Sequence, residues 1–147
     1  MDRAPNTKIL LCLTQDKRDR FERVLAGHEV AYADNVKSAM DQLEASAFGL
    51  VLVGVHFDDS QMFTLLGDIR GHARYRKVPI LCVLGQRGSV LARIAVEGLE
   101  HAVRAMTANG FVDLDNYPDD ETGNARLRRI VDYLILLDGE LHQGLPE

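Results

Sequence analysis

Four continuous apolar runs and one weaker run set the limits on what this chain can become. The clearest is Leu50-Val51-Leu52-Val53-Gly54-Val55, too short for a stable helix. A strand wetted on one face alternates apolar and polar residues, whereas an unbroken run of β-formers describes a strand covered on both faces. Lys8 to Leu13, Pro79 to Leu84 and Gly110 to Leu114 read the same way, and Glu29 to Ala33 is a short, weak strand. Pro79 is acceptable at the first position of its strand.

Between these runs, apolar residues recur at helical spacing. From Asp16 to Ala26, Phe21, Val24 and Leu25 share a face; Thr14-Gln15-Asp16 offers N-cap chemistry and Gly27 a stop. Asp34 or Asn35 can cap a second helix carrying Val36, Ala39, Met40 and Leu43. After a loop from His56 to Ser60, a third helix carries Phe63, Leu66 and Ile69. The turn Gly85-Gln86-Arg87-Gly88 leads to a long fourth pattern, Ser89 to Ala108, and Asn124 to about His142 forms the last. This alternation predicts an α/β, flavodoxin-like fold: a doubly wound five-stranded parallel sheet of order 2-1-3-4-5 with helices on both faces. The expected unit is one domain over 1–147, with a core of about 7–143.

At 147 residues and 46% hydrophobic, such a domain buries enough surface to fold without a disulfide or structural metal. No run approaches the ~20 apolar residues of a membrane span. No export leader opens the chain. A net charge of −5 argues against a grip on phosphate backbones. The expectation is a cytoplasmic protein that binds neither membrane nor nucleic acid, with Cys12 and Cys82 as buried thiols.

The functional edge of a doubly wound sheet lies at the carboxyl ends of its strands. Here that edge gathers Thr14, Gln15, Asp16, Asp34, Gly54, His56, Asp58, Gly85, Arg87, Leu114 and Asp115. Lys8-Ile9-Leu10-Leu11 resembles the first strand of the CheY-like receiver domains of two-component response regulators. Leu50 to Gly54 with Ile69-Arg70 resembles their third strand and third helix, Val78-Pro79-Ile80-Leu81 the opening of their fourth strand, and Asn109-Gly110-Phe111-Val112 their fifth. The resemblance covers essentially the whole chain.

Receiver chemistry requires a phosphoacceptor aspartate after the third strand, and an acidic pair after the first that helps hold Mg²⁺. It also requires a hydroxyl after the fourth strand and a lysine followed by proline after the fifth. Matched position by position, the phosphoacceptor falls on Gly54. The acidic pair falls on Leu13-Thr14, or Thr14-Gln15 with a longer strand. The hydroxyl falls on Leu84, the lysine on Leu114 and the proline on Asp115. The resemblance therefore implies a degenerate pseudo-receiver without catalytic residues, cofactor or metal. Its vestigial pocket would comprise Leu13, Thr14, Gln15, Asp16, His56, Asp58, Leu84, Arg87 and Leu114. Asp58 and Asp59 are poor substitutes for the nucleophile, because in-line transfer needs a fixed geometry.

Other motifs have plainer readings. His56, Asp58, Asp59 and Asp16 could offer nitrogen and oxygen ligands, but a polar loop explains them. Gly85-Gln86-Arg87-Gly88 lacks the ending of a phosphate-binding loop and reads as an ordinary turn. His28, His72, His101 and His142 are expected at the surface. In the fourth helix, Leu91, Ala95, Gly98, Leu99, Ala102 and Met106 make one apolar face, with Val96 and Val103 at its margin. Arg93/Glu97 and Glu100/Arg104 are i,i+4 pairs, and Gly98 marks a close approach or a break. In the last helix, Leu127, Ile130, Leu134, Leu137 and Leu141 form a seam beside Val131, leaving Tyr133 and Leu136 off it. Arg126, Arg128 and Arg129 can pair with Asp113, Asp115, Asp119, Asp120 or Glu121.

In receivers the fourth helix, fifth strand and fifth helix form the usual partner face. The expected interface residues are therefore Val96, Val103, Tyr133 and Leu136. The expected function is that of a stand-alone, phosphorylation-independent signalling module that binds a protein partner or dimerises, and no enzyme. The alternative is a small-molecule sensor using Arg87 and His56 in the vestigial pocket.

Overall fold

The computed structural model describes residues 8–85 and 93–143. The apolar runs become β1 (Ile9–Cys12), β2 (Val30–Tyr32), β3 (Leu50–Gly54), β4 (Ile80–Leu84) and β5 (Gly110–Asp113). They form one parallel sheet of order β2-β1-β3-β4-β5, as the alternation predicts. In register, Cys12 pairs with Val53, Gly54 with Val83, and Leu84 with Asp113. The helices are α1 (Gln15–Val24), α2 (Val36–Ala45), α3 (Met62–Gly71), α4 (Arg93–Ala105) and α5 (Glu121–Gln143).

Side chains alternate across each strand, so a continuous apolar run feeds two cores at once. Leu10, Cys12, Val51, Val53, Ile80 and Cys82 face α2, α3 and α4, packing with Leu43, Leu65, Leu66, Ile69 and Val103. Ile9, Leu11, Leu50, Leu52, Leu81, Val83 and Val112 face α1 and α5, packing with Phe21, Leu127, Val131 and Leu134. Both cysteines are buried free thiols, and burial pushes the Cys82 thiol up to about 12.

Local chemistry fixes the ends. Asn35 caps α2 by accepting from Ser38 N at 2.7 Å. Thr14 is the N-cap residue of α1, but its hydroxyl makes no cap. Arg70, at the end of α3, donates to the carbonyls of Tyr75, Val78 and Thr107 and to Asn109 Oδ1. That fan ties α3 to the segment leading into β5, opposite the functional edge.

The helical phases differ from expectation in three places. In α4 the buried side carries Val103, with Leu99 and Met106 partly buried beside it, while Ala95 and Gly98 are exposed. Small side chains bury little apolar area, so Val103 and its neighbours set the phase. Gly98 lies inside an unbroken helix with nothing near its Cβ position, so it marks neither a break nor a close approach within the chain. In α5, Ile135 joins Leu127, Val131 and Leu134 in the core, and Ile130 and Leu137 lie at its margin. In α3, Phe63 is 38% exposed, and Met62 and Leu65 cover the sheet with Leu66 and Ile69. The expectations for residues 86–92, including Arg87 and Leu91, lie outside the described residues, as do the side chains of Arg93, Leu141 and His142.

Candidate functional site

At the carboxyl edge of the central strands, Leu13, Gly54, Leu84 and Leu114 are all buried. They close the strand ends with aliphatic side chains. A Cβ on Gly54 would meet Leu13 Cδ2 at 3.5 Å, an ordinary contact, so the glycine is not demanded by space.

The loop beyond β3 makes its hydrogen bonds to α2 and within itself. Phe57–Ser60 forms a single turn in which Asp58, Asp59 and Ser60 have φ of 50°, 54° and 65°, the left-handed region that L-residues adopt at a cost. The turn aims Asp58 at α2, where its Oδ2 accepts from Val36 N at 2.9 Å. His56 Nδ1 lies 3.3 Å from Ser60 Oγ. Of the residues expected to share a pocket, Asp58 is thus engaged with α2 and His56 with its own turn, and Gln15 is exposed and bonds to Asp19 at 3.1 Å. Among the described residues no group of three or more His, Cys, Asp or Glu could hold a metal.

What reaches the edge instead comes from α1. Lys17 is 8% exposed. Its Nζ donates to Thr14 Oγ1 at 3.1 Å, and Thr14 donates in turn to Asp16 Oδ1 at 2.6 Å. That hydroxyl holds the Asp16 carboxyl below its usual range. The ammonium stands 3.7 Å from Asp16 Oδ2 and lies over the end of β4. A Cβ on Gly85 would come within 2.5 Å of Lys17 Cε and 2.9 Å of Nζ. The next residue, Arg18, covers the ends of β1 and β2: it pairs with Asp34 at 2.7 Å and its guanidinium carbon lies 4.9 Å from the centre of the Tyr32 ring.

One turn on, Arg20 is 5% exposed. It donates to the Tyr117 and Pro118 carbonyls and to Asn124 Oδ1. Arg23 forks onto Asp119, with both bonds at 2.9 Å. The Arg23 guanidinium, seconded by Asn124, holds the Asp119 carboxyl well below the carboxylate range. A depression of about 260 Å³ is lined by Asp16, Lys17, Arg20, Arg23, Leu114 and Asp119. The arginines of α5 behave otherwise than expected. Arg128 donates to the Val24 and Ala26 carbonyls, and Arg126 to the Asn116 carbonyl.

The sequence reading missed Lys17, Arg20 and Arg23, although a signal was present. Lys17, Arg20, Phe21 and Val24 share one helical stripe, so the face that buries Phe21 also buries two cations.

Mg²⁺ does not fit this edge. It takes oxygen ligands, several of them carboxylates or waters. The strand ends supply Leu13, Gly54, Leu84 and Leu114, and a fixed ammonium stands beside Thr14 and Asp16.

Outward on the opposite side of α5, Tyr133 and Leu136 are 64% and 62% exposed. Val96 is half-buried on α4, and Val103 is fully buried, so Val103 belongs to the core and not to the expected interface. No helix of the described residues is long and apolar enough to cross a membrane.

No protein-family model matches the chain, and no curated protein matches it. Solved structures do. The signal receiver domain of an HD domain-containing protein from Pseudomonas fluorescens Pf-5 is similar at a TM-score of 0.74 and 14% identity, over 99% of this chain and 98% of that one. A response regulator from Hahella chejuensis is similar at 0.70 and 16% identity, over 90% and 97%. The chemotaxis protein CheY4 of Vibrio cholerae is similar at 0.65 and 17% identity, over 87% and 99%.

Proposed function

We propose that this chain, which carries the fold of response-regulator receiver domains, is a signalling module that works without phosphorylation. It acts by binding a protein partner, in the first instance a second copy of itself, through the face formed by α4, β5 and α5. The observation that carries the reading is the strand-end cluster of Gly54, Leu13, Leu84 and Leu114. An acyl phosphate needs a carboxylate nucleophile and a charge-compensating cation in a fixed geometry. Gly54 has no side chain, and its surroundings are aliphatic. Support for the docking face comes from Tyr133 and Leu136, which place apolar area in water at about 25 cal/mol per Å².

The test has two arms. Acetyl phosphate with Mg²⁺ should leave the intact mass unchanged, whereas a stoichiometric hydroxylamine-sensitive adduct on Asp58 or Asp59 would overturn phosphorylation independence. Sedimentation velocity should show concentration-dependent dimerisation. A strictly monomeric chain at high concentration would remove the second copy as partner.

A further inference from the structure

We propose that the depression between α1 and the β5–α5 connection is a metal-independent site for a tetrahedral oxyanion, inorganic phosphate or the phosphate of a small monoester. The anion would be held by Lys17 with Arg23 at the rim and Arg20 as a fixed charge in the wall. The Lys17 side chain is 9% exposed and lines the depression. Among the described residues, Thr14 Oγ1 is the acceptor within hydrogen-bond reach of its three donors, and the nearest carboxylate oxygen stands at 3.7 Å. A buried ammonium with unspent donors costs free energy unless an acceptor meets it. Gly85 leaves room for the end of the lysine side chain against the β4 end, where a Cβ would push it aside.

Charge also selects an anion. Lys17, Arg20 and Arg23 face Asp16 and Asp119 around the depression. Arg20 spends its donors mainly on neutral carbonyls and Asn124, and Asp119 stands 3.8 Å from its Nε. Asp119 answers Arg23 with a bidentate fork. Asp16 points largely into water. The remainder is positive and centred on Lys17. Three cations against two carboxylates leave one net positive charge, which favours an oxyanion, and a phosphate can compete with Asp119 for the Arg23 fork because the fork matches both. The depression shares only Leu114 with the strand-end cluster and none of Val96, Tyr133 or Leu136, so anion binding and self-association fail or succeed separately.

Amide NMR on the intact chain, with a chelator present, tests the proposal. Inorganic phosphate and glycerol phosphate are titrated in parallel, with acetate as the carboxylate control. Shifts should concentrate at residues 14–20, Gly85 and Leu114, and the tighter of the two phosphates names the source. Lys17→Met should weaken binding at least about tenfold, the worth of one charge-assisted bond. Should that variant fail to fold, Arg23→Gln at an exposed side chain takes its place and should weaken binding severalfold. Absence of saturable shifts, equal affinity for acetate, dependence on added Mg²⁺, or unchanged affinity in the folded variant would each overturn the site.

Discussion

A Cβ on Gly123 would overlap the carbonyl oxygen of Pro118, the oxygen that also accepts from Arg20 Nη2 and from Asp120 N, each at 2.9 Å. The start of α5 and the loop above it are therefore in contact with no room for a methyl group. Asp120 completes the turn by accepting from Gly123 N at 2.8 Å.

Gly123→Ala should accordingly destabilise the protein. Alanine gains about 1 kcal/mol in helix propensity. Forcing Pro118 aside breaks two hydrogen bonds and strips an acceptor from a buried guanidinium, at a cost of about 2–4 kcal/mol. Urea denaturation decides the sign: a midpoint equal to or above wild type means that the loop yields freely.

The left-handed turn after β3 gives the opposite result. Asp59 has φ 54° and ψ 43°, and its side chain is exposed. Asp59→Gly removes a backbone cost of about 1–2 kcal/mol and adds chain entropy to the unfolded state, for a net gain of about 0.5–1 kcal/mol. Asp58→Gly should show no such gain, because it also deletes the acceptor of Val36 N. Equal thermal shifts for the two variants would contradict the assignment of Asp58 as a cap of α2.

Two charge substitutions separate surface from core. Leu136→Glu should keep a native circular dichroism spectrum and lose self-association, because an unpaired charge would be buried at the contact. Val103→Glu places the same carboxylate in the core beside α4 and should unfold the chain, at several kcal/mol. A folded Val103→Glu protein that still dimerises would show that α4 is rotated from the phase described.

Gly54→Asp should fold but with a midpoint corresponding to a loss of about 1–3 kcal/mol. Its Cβ fits beside Leu13 Cδ2, and the charge then sits at a buried strand end. Acetyl phosphate should still leave this variant unmodified; a phosphorylated Asp at 54 would show that Lys17 and Thr14 suffice as the cationic and polar partners.

Acid should erase the contribution of Asp119. Its carboxyl titrates below the unfolded value because Arg23 and Asn124 bond to its charged form. A depressed pKa contributes stability that is present above the unfolded value of about 4 and is lost as pH falls through the folded one. The pair is exposed and screened by water, so the effect is small. Arg23→Gln should be slightly less stable than wild type at neutral pH, and the difference should shrink toward zero below the usual carboxylate range. A constant difference across that range would assign Arg23 a packing role instead.

The parallel sheet was legible because four of the apolar runs are longer than one face requires, and right-handed crossovers with the chain length gave its order. Helix phase was less legible. In α4 the alanines and Gly98 match an apolar pattern without the area to hold it, and Val103 decides. The cations at the carboxyl edge were hidden by the expectation that lysine and arginine stay in water. The acceptors of Arg20 lie 97, 98 and 104 residues along the chain, far beyond any window of local pattern.

That span has a consequence for biosynthesis. Arg20 leaves the ribosome 97, 98 and 104 residues before its three acceptors. Until the loop at Pro118 and the first turn of α5 have been translated, the face of α1 that carries Phe21 must either stay apart from the sheet or bring an unsatisfied guanidinium with it. A nascent chain stalled before that point holds an exposed aromatic and a cation without acceptors, which is the kind of surface that chaperones and proteases engage. Docking of α1 on the sheet thus waits on the start of α5.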